Sequence, residues 1–161
     1  MITVKAASAP SLSNVAHPIL TEARERAQRD GLAYAGAVSP ADAWELFSSR
    51  KALLVDVRTP EERKFVGHVP ESLHVAWMTG TTMTRNLRFL HELGAKAKKE
   101  DVILLLCRSG KRSADAAEAA TKAGFANAFN VLQGFEGEQD ERRRRGMLGG
   151  WRFHGLPWVQ D

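Results

Sequence analysis

A chain of 161 residues, 43% apolar and 26% charged, has material for one domain with a real core and too little for two ordinary ones. Its single cysteine excludes an internal disulfide framework and leaves a free thiol, which fits a reducing, cytoplasmic setting, while no apolar run approaches the ~20 residues of a membrane span and the N-terminus lacks the apolar stretch of a secretory signal. The net charge of +4 favours anionic partners, but the local clusters Lys96, Lys98, Lys99 and Arg142 to Arg145 carry no interleaved aromatics for base stacking, so nucleic acid is not an expected partner.

The expected organisation is an N-terminal arm and helical extension at 1–33, followed by a domain at 34–161. Residues 1–16 are small and aperiodic and read as a mobile arm. A helix is expected over 18–29, with Ile19, Leu20, Ala23 and Ala27 on one face and Gly31 ending it. A short strand at 35–38 leads to Ser39 and Pro40, a helix start with a capping hydroxyl and a proline where its missing N–H costs nothing. That helix runs to about residue 49 with Ala43, Leu46 and Phe47 inward. The apolar run 52–57, ended by Asp56 and Arg58, reads as a strand buried on both faces, the habit of parallel sheets.

Pro60 opens a short helical turn to Phe65, broken by Gly67 and Pro70. A third strand is expected at 72–76 and a helix at 85–93, closed by Gly94. Residues 102–106 make the clearest strand. A helix over 113–123 follows, with Ser113 as cap, Asp115 in the first turn, Lys122 in the last and Gly124 at the left-handed exit. A last strand at 128–132 precedes a helix expected through the arginine run to Gly146. The aromatics Trp151, Phe153 and Trp158 suggest a tail that docks back on the domain. Strands alternating with helices predict an α/β fold, a parallel sheet of about five strands with helices on both faces.

Cys107 ends the apolar run 102–106 and is followed at once by Arg108, Ser109, Gly110, Lys111, Arg112 and Ser113. In open α/β sheets ligands bind beyond the carboxyl ends of the strands. The loop amides, the first turn of the next helix and three cations can converge above the sulfur, and Gly110 lets the backbone turn its amide inward. Such surroundings favour a thiolate, with no histidine base near it in sequence. A buried, inert cysteine is the alternative for a lone thiol. Asp56 and Arg58, at the end of the neighbouring strand, either support this loop or meet a ligand bound there, or they serve locally, Asp56 on nearby amides and Arg58 on Glu61 or Glu62. His68 and His74 read as structural, and Trp77 as pocket wall or core. The five histidines (His17, His68, His74, His91, His154) show no ligand spacing, so neither metal nor cofactor is expected.

The loop Cys107 to Ser113 resembles the active-site loop of the rhodanese family of sulfurtransferases. Leu54 to Arg58 with Pro60, Glu61 and Glu62 is similar to the family's strand-and-turn signature. Residues 67–72 are similar to its Gly-His-Ile-Pro-Gly-Ala segment, with Glu71 in place of the glycine. Residues 130–135 resemble its last strand and exit, with Gly134-Phe135 where a glycine pair is usual. Gly155, Leu156 and Pro157 match its closing tripeptide. The order of these motifs over roughly 35–158 makes the match specific.

The resemblance implies a rhodanese-like fold and a thiosulfate sulfurtransferase. Cys107 takes the outer sulfur of thiosulfate, holds it as a persulfide and passes it to cyanide, a thiol or a protein acceptor. The loop residues 108–113 bind the small anionic donor. Two other readings remain: a cysteine-dependent phosphatase or arsenate reductase on a related fold, and a persulfide relay or binding module. Four residues separate Cys107 from Arg112, one fewer than in the phosphatase pattern, so the loop closes more tightly than a tetrahedral oxyanion requires. The three loop cations favour thiosulfate over the less charged mercaptopyruvate.

Overall fold

The structure is a computed structural model that describes residues 15–161. The arm expected at 1–16 therefore lies outside the described residues except for its last two, of which Val15 packs on the core. In chain order the elements are α1 (Pro18–Asp30), β1 (Gly36–Val38), α2 (Pro40–Ser48), β2 (Leu53–Asp56), α3 (Pro60–Phe65), β3 (Leu73–His74), β4 (Met78–Thr79), β5 (Thr84–Arg85), α4 (Phe89–Lys96), β6 (Ile103–Leu106), α5 (Lys111–Lys122) and β7 (Ala128–Val131).

Five strands form one sheet in the order β1-β7-β6-β2-β3, and every pairing in it is parallel. The central strand β6 is buried along its whole length, which explains its unbroken apolar composition. Alternation then sorts its side chains. Leu104 and Leu106 join Leu54, Phe129 and Val131 in a core closed by Leu20 and Ala23 of α1 and Ala43 and Leu46 of α2. Ile103, Leu105 and Cys107 join Val55 and Val57 in a second core under Phe89 and Leu93 of α4 and Ala116, Ala117 and Ala120 of α5. The fold is α/β with helices on both faces of a five-stranded parallel sheet. The alanines of α5 let that helix lie close to the strands it covers. The extension helix α1 shares the first core, so it packs as part of that layer.

Turn chemistry sets the starts of the helices. Ser39 accepts the Asp42 N–H at 3.1 Å ahead of Pro40. Thr59 and Glu62 form a reciprocal capping box at the start of α3, satisfying two orphan amides of its first turn. The tail docks as expected: Trp151 is fully buried, its indole N–H donates to the Pro157 carbonyl at 2.9 Å, and Val159 pairs with His68 in an antiparallel bridge.

Four local expectations are corrected. The third strand is shorter than 72–76, only Leu73–His74. Residues 85–88 are not helical: Thr84–Arg85 pairs with Met78–Thr79 as a two-stranded antiparallel ribbon, α4 starts at Phe89, and Gly94 lies inside it. The arginine run is not a helix either. Asp140 accepts the backbone N–H groups of Arg142 and Arg144 at 2.9 and 2.8 Å, and Arg143 takes a left-handed φ of 63°, a local turn that outcompetes helix. Finally, α5 starts at Lys111 with Gly110 as its cap residue. Ser113 is therefore within the first turn rather than capping it, and Asp115 falls beyond that turn. Among the described residues no helix is long and apolar enough to cross a membrane.

Candidate active site

Cys107 stands at the carboxyl end of β6, 1% exposed, on the face covered by α5. Its sulfur is 3.1 Å from the Gly110 N–H and 3.1 Å from Ser113 Oγ, the donors that a negatively charged sulfur takes. Gly110 reaches this position with φ of 104°, a backbone region closed to most residues. The loop is pinned from behind. The Cys107 carbonyl accepts the Phe135 N–H at 2.7 Å, and the Arg108 carbonyl accepts those of Glu136 and Gly137 at 2.9 and 3.1 Å. A Cβ on Gly134 would lie 2.4 Å from the Arg108 carbonyl group, so glycine there lets the exit of β7 press against the loop; in its neighbour Phe135 a larger side chain replaces the second glycine without meeting that constraint.

The first turn of α5 carries Lys111 and Arg112 and no acid. Cations at the positive end of a helix dipole are unfavourable unless an anion offsets them. Lys111 is exposed and Ser113 is buried. Arg112 is turned to Glu62 of α3, with Nη1 and Nη2 at 2.8 and 2.9 Å from the two carboxylate oxygens. Burial pulls the Glu62 carboxyl up, and the bonded Arg112 guanidinium outweighs it, leaving Glu62 below its ordinary range. The Arg112 guanidinium is pulled down by burial and raised by more through Glu62, with a smaller contribution from Cys107. Met83 Sδ, from the β4–β5 ribbon, lies 3.9 Å from the same guanidinium. Arg108 is half-buried, with its Nε buried and without a partner.

Asp56 and Arg58 are both fully buried and bound to each other, with Arg58 Nε and Nη2 at 3.0 and 2.8 Å from the carboxylate. Arg58 also donates to the Gly67 carbonyl at 2.7 Å, and Arg63 adds a bond to Asp56 at 2.9 Å. Burial drives the Asp56 carboxyl up, and Arg58 and Arg63 together hold it below its ordinary value. Arg58 thus pairs with Asp56 and not with Glu61 or Glu62. His74 holds the Arg58 carbonyl at 2.7 Å, and Trp77 is a core residue stacked edge-on against Phe89.

Two residues of this constellation were not singled out from the sequence for it. Glu62 reaches Arg112 across 50 positions, which spacing does not reveal. Asn130 of β7 lies 2.5 Å from Ser113 Oγ and holds the Gly110 carbonyl at 3.2 Å. Its one signal is an amide inside the buried strand Ala128–Val131, where a polar side chain must find partners.

The protein is thus of the α/β class, with a cysteine loop at the carboxyl end of the central strand of an all-parallel sheet. The family model for the rhodanese-like domain matches residues 39–141, and the chain belongs to this family, which is of sulfurtransferase type. The uncharacterized protein RP600 homolog of Rickettsia rickettsii is 36% identical over 118 residues, covering 70% of this chain and 87% of that protein. The crystal structure of Rv0390 from M. tuberculosis matches with a TM-score of 0.72 at 45% identity, over 80% of this chain and 99% of the other. A Coxiella burnetii protein named thiosulfate sulfurtransferase GlpE is 28% identical over 99 residues, 62% of this chain and 82% of its own length.

Proposed function

We propose that this protein is a sulfurtransferase that carries sulfane sulfur from thiosulfate, or a similar small anionic donor, on Cys107 to a thiophilic acceptor such as cyanide, a thiol or a protein. The observation that carries the reading is the Cys107 sulfur, set between the Gly110 N–H and the Ser113 hydroxyl at the mouth of a helix whose first turn bears two cations and no acid. The anionic sulfur attacks the outer sulfur of thiosulfate. A new S–S bond forms as the donor's S–S bond breaks, and that electron pair leaves with sulfite. In the second step the acceptor attacks the outer sulfur of the persulfide, and the electron pair of the broken bond returns to Cys107. Dividing the transfer makes each step easier, and donors fixed in advance hold charge without reorganising.

In this reading residues 108–113 bind the donor. Arg108, Lys111 and Arg112 supply charge, and Ser109, Gly110 and Ser113 shape the cradle and line it with donors. Asp56 and Arg58 support the cradle by bracing the end of β2 beside it. Both steps are polar displacements at sulfur, so no cofactor is required. The spacing of Cys107 and Arg112 supports a persulfide over a tetrahedral oxyanion, and the resemblance to the Coxiella burnetii protein supports thiosulfate as donor.

The test is steady-state sulfur transfer from thiosulfate to cyanide or a thiol, run beside a phosphatase assay, with intact-mass analysis of the donor-treated protein. The expected result is turnover, one added sulfur on Cys107, and loss of both in Cys107→Ser. Transfer surviving in Cys107→Ser, or phosphate-ester hydrolysis without sulfur uptake, overturns the reading.

A further inference from the structure

Ser113 lies between two acceptors and has one proton to give. Its Oγ is 3.1 Å from Cys107 Sγ and 2.5 Å from Asn130 Oδ1. Ser113 is fully buried and Asn130 is 4% exposed, so water does not substitute for either partner. Asn130 sits opposite Leu105 in the parallel register of β7 and β6, which brings its side chain beside Cys107, two residues further along. The far end of the amide sets its orientation. Its nitrogen meets the Gly110 carbonyl at 3.2 Å, and a carbonyl only accepts, so the amide oxygen must face Ser113. A neutral Cys107 suits this arrangement: the hydroxyl donates to Asn130, and the S–H is free to donate to Ser113 Oγ. An anionic sulfur does not suit it. The sulfur then takes the hydroxyl proton, and Asn130 Oδ1 is left facing an oxygen lone pair.

We propose that Asn130 is a positioning residue that competes with the Cys107 sulfur for the Ser113 proton, so that the hydroxyl turns toward Asn130 when the sulfur is neutral and toward the sulfur when it is anionic. The Gly110 N–H bond is the same in both states. Asn130 therefore opposes the free thiolate and is satisfied again once Cys107 Sγ is covalently capped. The last point rests on the persulfide reading: sulfur capture releases the hydroxyl to Asn130, and departure of the outer sulfur draws it back to the Cys107 sulfur, where the electron pair lands.

The other charged and titratable groups around this chain of contacts are few. They are Arg108, Lys111 and Arg112 on the loop and α5, Glu62 of α3 bound to Arg112, and Asp56 of β2 beyond it. Tyr34, ahead of β1, neighbours Asn130, with Asp115 and Glu118 of α5 further out, and burial pushes its phenol up, so it stays neutral where thiols ionise.

The experiment is the rate of Cys107 alkylation by iodoacetamide across pH. Asn130→Leu, close to Asn in shape, removes the competing oxygen. It should speed alkylation on the acid side of the profile by about threefold to tenfold, the size of one ordinary intramolecular hydrogen bond, and leave the alkaline plateau unchanged. In a Ser113→Ala background the same substitution should change neither limb, because the shared proton is gone. If Asn130→Leu does not fold, Asn130→Ala carries the same pair of measurements. An unchanged or slower acid limb with Ser113 present, or an equal acceleration without it, overturns the proposal. Alkylation needs no sulfur donor, so failure of thiosulfate turnover leaves this test intact, and failure here leaves the transfer reaction standing.

Discussion

Arg112 and Arg144 are each paired with a carboxylate, and the two pairs differ in what holds them. Arg112 meets Glu62 through two bonds, with side chains only 12% and 13% exposed, and Glu62 is itself fixed by the capping box of α3. Arg144 meets Asp140 four residues away, and its side chain is 53% exposed. The first pair ties two elements together and fixes a cation beside Cys107. The second lies on one turn of an exposed segment. A cation's contribution to a site follows from what restrains it more than from how many cations lie nearby, and the densest basic run of the chain is the one least tied to the core.

The largest effect expected from breaking this contrast lies deeper still, at the Asp56–Arg58 pair. Asp56→Ala leaves a buried guanidinium without its carboxylate and should cost about 3–5 kcal/mol in urea denaturation. A loss within the range of ordinary surface substitutions would show that the pair is not what braces the end of β2. The same network sets an acid limit. Asp56 and Glu62 are held below their ordinary values in the fold. Their contribution is therefore fully present above the unfolded carboxylate range, near pH 4, and is lost as pH falls through the lower folded-state values. Stability measured against pH should drop on that acid limb, and Asp56→Asn should flatten it. An acid limb unchanged in that variant would assign it to other carboxylates.

A smaller effect is expected at the Arg112 pair. Glu62→Gln keeps an acceptor for the capping box but removes the charge that orients Arg112. Under the proposed reaction, Glu62→Gln and Arg112→Ala should raise the thiosulfate KM by about tenfold, the equivalent of about 1.4 kcal/mol of donor binding. Lys111→Ala, at an exposed position, should raise it less, up to about fivefold. Steady-state kinetics with thiosulfate and mercaptopyruvate decide this. Unchanged thiosulfate kinetics in all three variants, or a wild-type preference for mercaptopyruvate, would remove the role assigned to the loop cations.

The sheet and the cysteine loop were legible because both write local patterns. The run at 102–106 is apolar throughout since both faces of β6 are covered, and the loop packs glycine, cations and cysteine into consecutive positions. What was not legible depends on distant partners. Closeness in sequence offers Glu61 or Glu62 as a partner for Arg58 in one of the two readings of that residue, yet α3 turns Glu62 to Arg112. Asn130 opens the 130–135 segment that resembles the family's last strand, but that resemblance gives its side chain no partner, and only its burial points to one. The β4–β5 ribbon is written in threonines, two methionines, a glycine and an arginine without apolar alternation, so its pairing left no periodic trace. Serine is a good cap, which points to a start of α5 at Ser113, but the loop begins the helix at Lys111 and keeps that hydroxyl beside the sulfur.

The smallest effect is expected from the exposed arginines. Asp140 shapes its turn chiefly by accepting backbone N–H groups, those of Arg142 and Arg144, and neither bond depends on an arginine side chain. The double variant Arg142→Ala, Arg144→Ala should therefore keep the turn. It removes only an exposed ion pair, of a kind that contributes little in water and is screened by salt. The thermal midpoint and the thiosulfate KM should both stay at wild-type values. Asp140→Ala removes the acceptor itself and should lower the midpoint by more than the double variant does. Thermal melts of the three proteins at low and high salt make the comparison. A KM that rises in the double variant would mean that the arginine run attracts the donor after all, and a midpoint that falls further there than in Asp140→Ala would mean that the side chains, not the backbone bonds, hold the turn.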